Sequence, residues 1–275
     1  MSENVAAPDR PEGRTKRRSA RWSLTGDEPR IIAYRVLLLI VLLGLWELAI
    51  RRGWIAVFLY GQPSGVWAKA VALIADGSLA HDIGITAWET VVGFLIGTSL
   101  GCLAGLLLWL SPLTARILKP YMVAINGLPI ISVAPLIIVW FGVGLESKIA
   151  VAAIMTFIVA LISVFGATSE VDQDLIRMMK ALGASHGQIW RMVVVPASIP
   201  WIASILRLNV GFALIGAVVG EYISSKDGLG YMIYYAGVIY DLNAVWVGIG
   251  ALMVVALIMY ALVGSLERRL RAAAG

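Results

Sequence analysis

The sequence predicts an all-α, polytopic membrane protein with about six transmembrane helices. First, 60% of the 275 residues are hydrophobic, only 14% are charged, and the mean hydropathy is +0.86. That composition lies far outside the range of a soluble globular domain. Second, six apolar runs stand at about 34–50, 87–110, 120–142, 148–168, 198–223 and 243–264, each near the ~20 residues that a bilayer core requires. Third, none of them alternates with period two. Lipid offers backbone groups no partner, so runs of this length must satisfy their own hydrogen bonds as helices.

Residues 1–33 read as a disordered cytoplasmic basic tail. They hold Pro8, Pro11 and Pro29 and a basic block of Arg14, Lys16, Arg17, Arg18 and Arg21, with few apolar residues. This polar lead is too long for a cleaved signal peptide, so Val36 to Ile50 is expected to remain as a span. Residues 34–80 comprise that span and a helix along the outer membrane surface. In Ser64 to Ile74, the residues Val66, Trp67, Ala70, Val71 and Ile74 recur at helical spacing, and Trp54, Tyr60 and Trp67 suit an interface. Ser224 to Leu242 reads as a second outer segment, a turn at Lys226, Asp227, Gly228 and Gly230 followed by an interfacial helix carrying Tyr231, Tyr234, Tyr235 and Tyr240. Either segment receives a soluble partner or rests among lipid headgroups. Residues 81–267 form the membrane core and 268–275 a short cytoplasmic tail.

Charge placement sets the orientation. With the N-terminus inside, sixteen Lys and Arg residues fall on the inner side, whereas Arg51, Arg52, Lys69, Lys148 and Lys226 fall outside and Arg207 lies within a span. Both termini are then cytoplasmic. The net charge of +5 is a topology signal, and without interleaved aromatics it gives no support for a nucleic-acid partner. Cys102 is the sole cysteine, so no internal disulfide forms, and no Cys/His cluster offers a metal site.

Within the second run, Gly93, Gly97, Gly101 and Gly105 recur every four residues and let another helix approach closely. Gly97-Thr98-Ser99-Leu100-Gly101 formally matches a serine-hydrolase elbow, but that motif needs a strand-to-helix turn and a nearby histidine. His81 and His186 fall in connections on opposite sides of the membrane. The third run contains Asn126, Pro129 and Pro135, which exclude a straight helix. It is either a deformable, pathway-lining segment or a kink kept for packing. In the fifth run, Arg207 and Asn209 are intramembrane polar residues. Arg207 attracts an anion, pairs with a carbonyl as a pivot, or snorkels from a shallow position. Glu47 and Glu221, near outer ends of spans, read as helix-packing or hydrogen-bonding residues rather than a proton relay, which would need a connected series of carboxylates or histidines across the core.

The polar stretch from Ser169 to Trp201 is the most informative. Glu170 to Leu182 places Leu175, Met178, Met179 and Leu182 on one helical face. Gly183 breaks the helix, Ser185 with Gln188 forms a capping box that restarts it through Ile189, Trp190 and Val193, and Pro196 and Pro200 are expected to end it. An apolar-faced hairpin in water is offered to a partner's groove. No G-x-x-x-x-G-K-[ST] motif occurs, so the chain hydrolyses no nucleotide by a P-loop.

Ala181-Leu182-Gly183-Ala184-Ser185, followed by Val193-Val194-Val195-Pro196, resembles the second half of the EAA loop of binding-protein-dependent ABC importer permeases. Pro135 through Gly144, Ser147-Lys148-Ile149 and Gly228-Leu229-Gly230-Tyr231 are similar to the nitrate/sulfonate/taurine branch. The resemblance covers about residues 35–270. Where the family usually has Glu-Ala-Ala, this chain has Arg177-Met178-Met179. The resemblance implies a type I importer permease fold for 81–267. It also implies a second permease copy, two cytoplasmic ABC ATPases holding ATP and Mg, and an extracytoplasmic solute-binding protein, with no cofactor in this chain. Arg177, Met178, Met179, Leu182, Gly183, Ala184, Ser185 and Pro196 would couple to the ATPase; Asn126, Pro129, Pro135, Arg207 and Asn209 would line or gate the pathway. The solute implied is a small anion of the nitrate, sulfonate, taurine or organic acid type. The competing readings are a stand-alone secondary transporter or channel, which lacks support from inverted repeats or a chain of titratable groups, and a membrane-embedded enzyme, which lacks a catalytic constellation.

Overall fold

The computed structural model describes residues 28–274; the basic tail expected at residues 1–33 lies mostly outside them. The described residues form helices joined by short connections, in the order α1 (Glu28–Arg51), α2 (Val57–Tyr60), α3 (Pro63–Ala75), α4 (Ser78–Leu108), α5 (Pro112–Asn126), α6 (Ile130–Phe141), α7 (Leu145–Ser169), α8 (Gln173–Ala181), α9 (His186–Ile189), a π-turn (Trp190–Val194), α10 (Val195–Ser224), α11 (Leu229–Val238) and α12 (Leu242–Ala274). Among the described residues five helices are long and apolar enough to cross a membrane, and the pair α5 and α6 makes a sixth if counted as one broken span. Of the described residues, those up to Trp46 belong to one compact unit and those from Glu47 onward to another.

The second unit is centred on α7, held between α4 and α10. The glycine ladder explains the close approach to α4. A Cβ on Gly93 or Gly101 would come within 2.7 Å of Ala152 or Ala160, and one on Gly105 within 2.9 Å of Val164 and the Leu161 carbonyl. At Gly97 a Cβ would overlap the Ala153 carbonyl and the Thr156 hydroxyl. On the other side of α7, Gly216 of α10 leaves room for only 2.6 Å to Ala152. Bare backbone on both neighbours lets three helices pack around small side chains. Asn209, fully buried, ties the same three together by donating to Thr98 Oγ1 (3.0 Å) and to the Thr156 carbonyl (3.1 Å).

Several expectations need correction. The stretch 111–119, left between the second and third apolar runs, is helical, because Ser111 caps a new helix by accepting from the Thr114 N–H and Pro112 fits its first turn. The third run is not one span of 120–142. It breaks at Gly127–Pro129 with a bend of 102° between α5 and α6, since Pro129 takes an extended conformation before α6, while Pro120 and Pro135 remain inside helices. Pro196 and Pro200 do not end the helix that starts at His186, which runs on to Ser224. The π-turn absorbs Pro196: the Val195 N–H bonds back five residues to the Trp190 carbonyl. The widened turn accommodates the ring that would otherwise clash four residues back. The last helix continues through the expected 268–275 tail as far as Ala274.

Candidate functional site

Two polar places stand at opposite ends of α10. At one end, the hairpin of α8 and α9 forms as its sequence dictates. Asp172 caps α8 by accepting from the Asp174 N–H at 2.8 Å. Gly183 turns the chain at φ +83°, a left-handed conformation that costs a side-chain-bearing residue about 1–2 kcal/mol. Ser185 and Gln188 make the reciprocal capping box, 3.3 Å and 2.7 Å.

The hairpin has an inner and an outer face. Val171, Ile176, Ile189, Val193 and Val194 form a buried cluster against which Met179, Ala184, Trp109 and Trp190 pack. Leu175, Met178 and Leu182 point outward, with Leu182 75% exposed. Met179 therefore belongs to the inner packing and not to the docking stripe expected of it. Ile176, which sequence reading passed over, pulls the boundary round. Arg177 is exposed and pairs with Asp174 at 2.8 Å. The hairpin is fixed to the end of α4: the Trp190 indole donates to the Leu106 carbonyl at 2.8 Å, and His186 stacks on Trp109 with ring centres 4.5 Å apart. His81 and His186 both lie within helices, not in loops.

The other end gathers charged groups that the sequence scattered. Glu221 is fully buried, accepting from Thr86 Oγ1 at 2.7 Å and from the Gly230 N–H at 2.6 Å. Thr86 Oγ1 also accepts from the Leu229 N–H at 2.8 Å, and Asp82 accepts from the Gly228 N–H at 2.9 Å. Together they clamp the turn before α11 onto α4. Lys148, assigned from sequence to an exposed outer connection, is 3% exposed inside α7 and donates to the Val143 and Gly144 carbonyls, both at 3.0 Å. Glu89 of α4, which sequence reading missed, is 1% exposed. Its only signal was a carboxylate inside an apolar run. Around this cluster lies a cavity of about 500 Å³ lined by His81, Glu89, Gly144, Lys148, Ser224 and Asp227, among others.

At the same end, Glu47 accepts from Arg51, Gln62 and Ser64, as its hydrogen-bonding assignment anticipated. Lys69 of α3 pairs with Asp241 at 2.7 Å. Partial burial works to raise the Asp241 carboxyl, but Lys69 and the backbone N–H groups of Ala244 and Asn243 outweigh it and hold it below the usual carboxylate range.

Of the residues expected along a pathway, Asn126 lines two cavities, of about 100 Å³ and 340 Å³, between α5, α6 and α7. Pro129 stands at the break and Pro135 is exposed on α6. Asn209 is the buried tie between α4, α7 and α10. Arg207 faces α12, pairing with Glu267 at 2.5 Å and lying 4.9 Å over the Tyr260 ring. Its charge is answered by a carboxylate, not by a carbonyl.

Residues 97–272 match the family described as binding-protein-dependent transport system inner membrane component. The chain belongs to this family. Among relatives of this inner membrane permease, the riboflavin transport system permease protein RibX of Chloroflexus aurantiacus is 32% identical over 236 residues, covering 84% of this chain and 87% of that one. The putative aliphatic sulfonates transport permease SsuC of Bacillus subtilis is 32% identical over 235 residues, with 86% and 85% covered. The taurine transport system permease TauC of Escherichia coli is 26% identical over 261 residues, with 93% and 94% covered. The fold is that of solved type I importer permeases. It matches a chain of the inward-facing MetNI methionine ABC transporter at TM-score 0.61 and 20% identity, covering 72% of this chain and 96% of that one. It matches a chain of a bacterial alginate importer at TM-score 0.59 and 19% identity, with 88% and 93% covered. The protein is thus a multi-pass permease subunit of an ABC importer.

Proposed function

We propose that two copies of this permease form the pathway of the importer and that each docks a separate cytoplasmic ATPase on its α8–α9 hairpin. The observation that carries the reading is the outward row of Leu175, Met178 and Leu182 on a hairpin otherwise held rigidly to α4 and α10. Exposed apolar side chains on an anchored helix fit a hydrophobic groove, and methionine adapts to that groove's shape. The ATP and Mg belong to the partner. A solute-binding protein delivers its cargo at the opposite end, where α3, α11 and the Ser224–Asp227 turn lie, and both termini are cytoplasmic, a placement that the excess of Lys and Arg on that side supports.

ATP binding draws the two ATPases together and the hairpins follow, which biases the spans toward the outward-open arrangement; hydrolysis returns them. The solute is a small sulfonate-type molecule, the chemistry named for SsuC and TauC. Arg207 adds nothing to that choice, because Glu267 neutralises it. The test is reconstitution into proteoliposomes with a cognate ATPase and solute-binding protein, challenged with alkanesulfonates, taurine and riboflavin. ATP-dependent uptake of one class that needs all three components is expected. Uptake by the permease alone would establish the stand-alone transporter instead.

A further inference from the structure

Three successive backbone N–H groups at the start of α11 end on side chains of other helices. Gly228 donates to Asp82 and Leu229 to Thr86, both on α4, and Gly230 donates to Glu221 on α10. Glu221 is the hub, since it accepts from Thr86 Oγ1 as well. The turn is pressed onto it: a Cβ on Gly228 or Gly230 would lie within 2.5 Å of its carboxyl, so Glu221 cannot withdraw unless the turn moves too. Glu221 also shares a hydrogen bond with the carboxyl of Glu89, three residues along α4 from Thr86. A bond between two carboxyls needs one O–H, so one of the pair is protonated. The two donors that Glu221 already holds suit a carboxylate, whereas no other group among the described residues engages the buried oxygens of Glu89. The proton therefore sits on Glu89. Lys148 does not stand in for it, because its ammonium donates to the Val143 and Gly144 carbonyls.

We propose that Glu89 and Glu221 bind one exchangeable proton between them, and that this proton locks the turn before α11 and the end of α10 onto α4. Its loss to water leaves two carboxylates in contact, repelling each other and with no O–H left to join them. Glu89 borders the cavity of about 500 Å³, which is the route for the proton and for the water that hydrates the new charge once the turn yields. Around the pair stand Asp82 and His81 from α4, Glu146 and Lys148 from α7, Tyr222 from α10, and Lys226 and Asp227 from the turn, while α11 brings the Gly230 N–H. Lys148 is the one buried cation of this group, 3% exposed, and a single ammonium does not balance a second carboxylate beside Glu221. Rising pH therefore opens this end of the molecule, and falling pH closes it. The lock belongs to the permease itself and goes beyond the importer reading, since it depends neither on the solute nor on the ATPase.

The test uses the full-length permease purified in detergent, with size-exclusion chromatography confirming that each variant folds. Infrared difference spectra over a pH series should show the C=O stretch of a protonated carboxylic acid that is present at pH 7, disappears in alkaline buffer and is missing from Glu89→Gln. Opening is read from Ile85→Cys, half-buried on the cavity wall, through its reaction with a neutral maleimide in a Cys102→Ser background. Dividing its rate by that of the exposed reference Arg52→Cys cancels the titration of the thiol. This ratio should rise with pH by up to ~10-fold per unit, the limit for one linked proton. It should stay flat in Glu89→Gln, whose amide still donates to Glu221 but cannot ionise. A flat ratio with Glu89 in place, the same slope in folded Glu89→Gln, or no protonated carboxylic acid at pH 7 would overturn the proposal. The first and last of these need no substitution at Glu89, so they decide even if Glu89→Gln does not fold.

Discussion

The Trp190 indole N–H meets the Leu106 carbonyl at 2.8 Å, joining the start of the π-turn to the last turn of α4. That carbonyl belongs to the end of a helix, where acceptors lack intrahelical donors, so the bond satisfies both partners and fixes the hairpin at once. Trp190→Phe keeps the ring and removes the donor. A loss of ~1 kcal/mol in stability is expected, and a larger fall in solute moved per ATP hydrolysed, read from parallel uptake and phosphate-release assays. An unchanged ratio would show that the anchor plays no part in coupling.

Gly183 is the hinge between α8 and α9. A β-branched residue there meets strain of about 1–2 kcal/mol although no atom lies within 4 Å of its would-be Cβ. Gly183→Val should therefore insert and assemble normally while uptake drops and ATP hydrolysis continues. Uptake at the parental rate would remove the hairpin angle from the mechanism.

Just past α8, Leu182→Asp places a charge at the most exposed end of the outward apolar row. Co-purification of the ATPase should be lost, while Met179→Asp should instead lower the melting temperature of the permease itself. Pull-down and thermal unfolding separate the two. If both variants released the ATPase and melted alike, the division into inner and outer faces would be wrong.

The glycine ladder makes a contrast inside one helix. Gly97→Ala forces α4 off α7 and should destabilise by roughly 1–3 kcal/mol, the usual cost of overpacking. Gly84→Ala, with open space around it, should be neutral or stabilise by up to about 1 kcal/mol through helix propensity. Thermal unfolding in one detergent compares them directly.

The Lys69–Asp241 pair fastens α3 to the start of α12. Because the folded protein lowers the Asp241 pKa, its contribution is present above the unfolded value of about 3.9 and disappears as pH falls through the lower folded value. For a part-exposed pair the contribution is ~0.2–1 kcal/mol. Lys69→Met should lower the melting temperature slightly at pH 7 and lose that difference toward pH 3; an equal deficit at both would exclude the ion pair as its cause.

Local pattern made much of this molecule legible. The helix at Pro63–Ala75, the capping box at Ser185 and the packing role of Gly93 to Gly105 each depend on residues a few positions apart, so their spacing announced them. Pro129 likewise marked a break, though not its 102° bend, which depends on how α6 packs on α7. What stayed hidden needed partners distant in sequence. Lys148 looked like a loop cation because its carboxylate neighbours Glu89 and Glu221 stand on α4 and α10, far away in sequence, while its hydrogen-bond partners Val143 and Gly144 are close by. Asn209 looked like a pathway residue because nothing in its neighbourhood named Thr98. The continuity of the helix through Pro196 was unreadable because a π-turn has no composition signal; it forms where packing of Val193 and Val194 rewards one extra residue per turn.

That continuity has a mechanical corollary. The helix from His186 to Ser224 has 39 residues, so at 1.5 Å per residue it is a rod of about 58 Å. Pivoted near its middle, where Asn209 holds it, a ~10° tilt sweeps each tip through ~5 Å. A seesaw of this length makes the α8–α9 hairpin and the surroundings of Glu221 two readouts of one displacement, so a crosslink that immobilises Trp190 should also arrest Glu221.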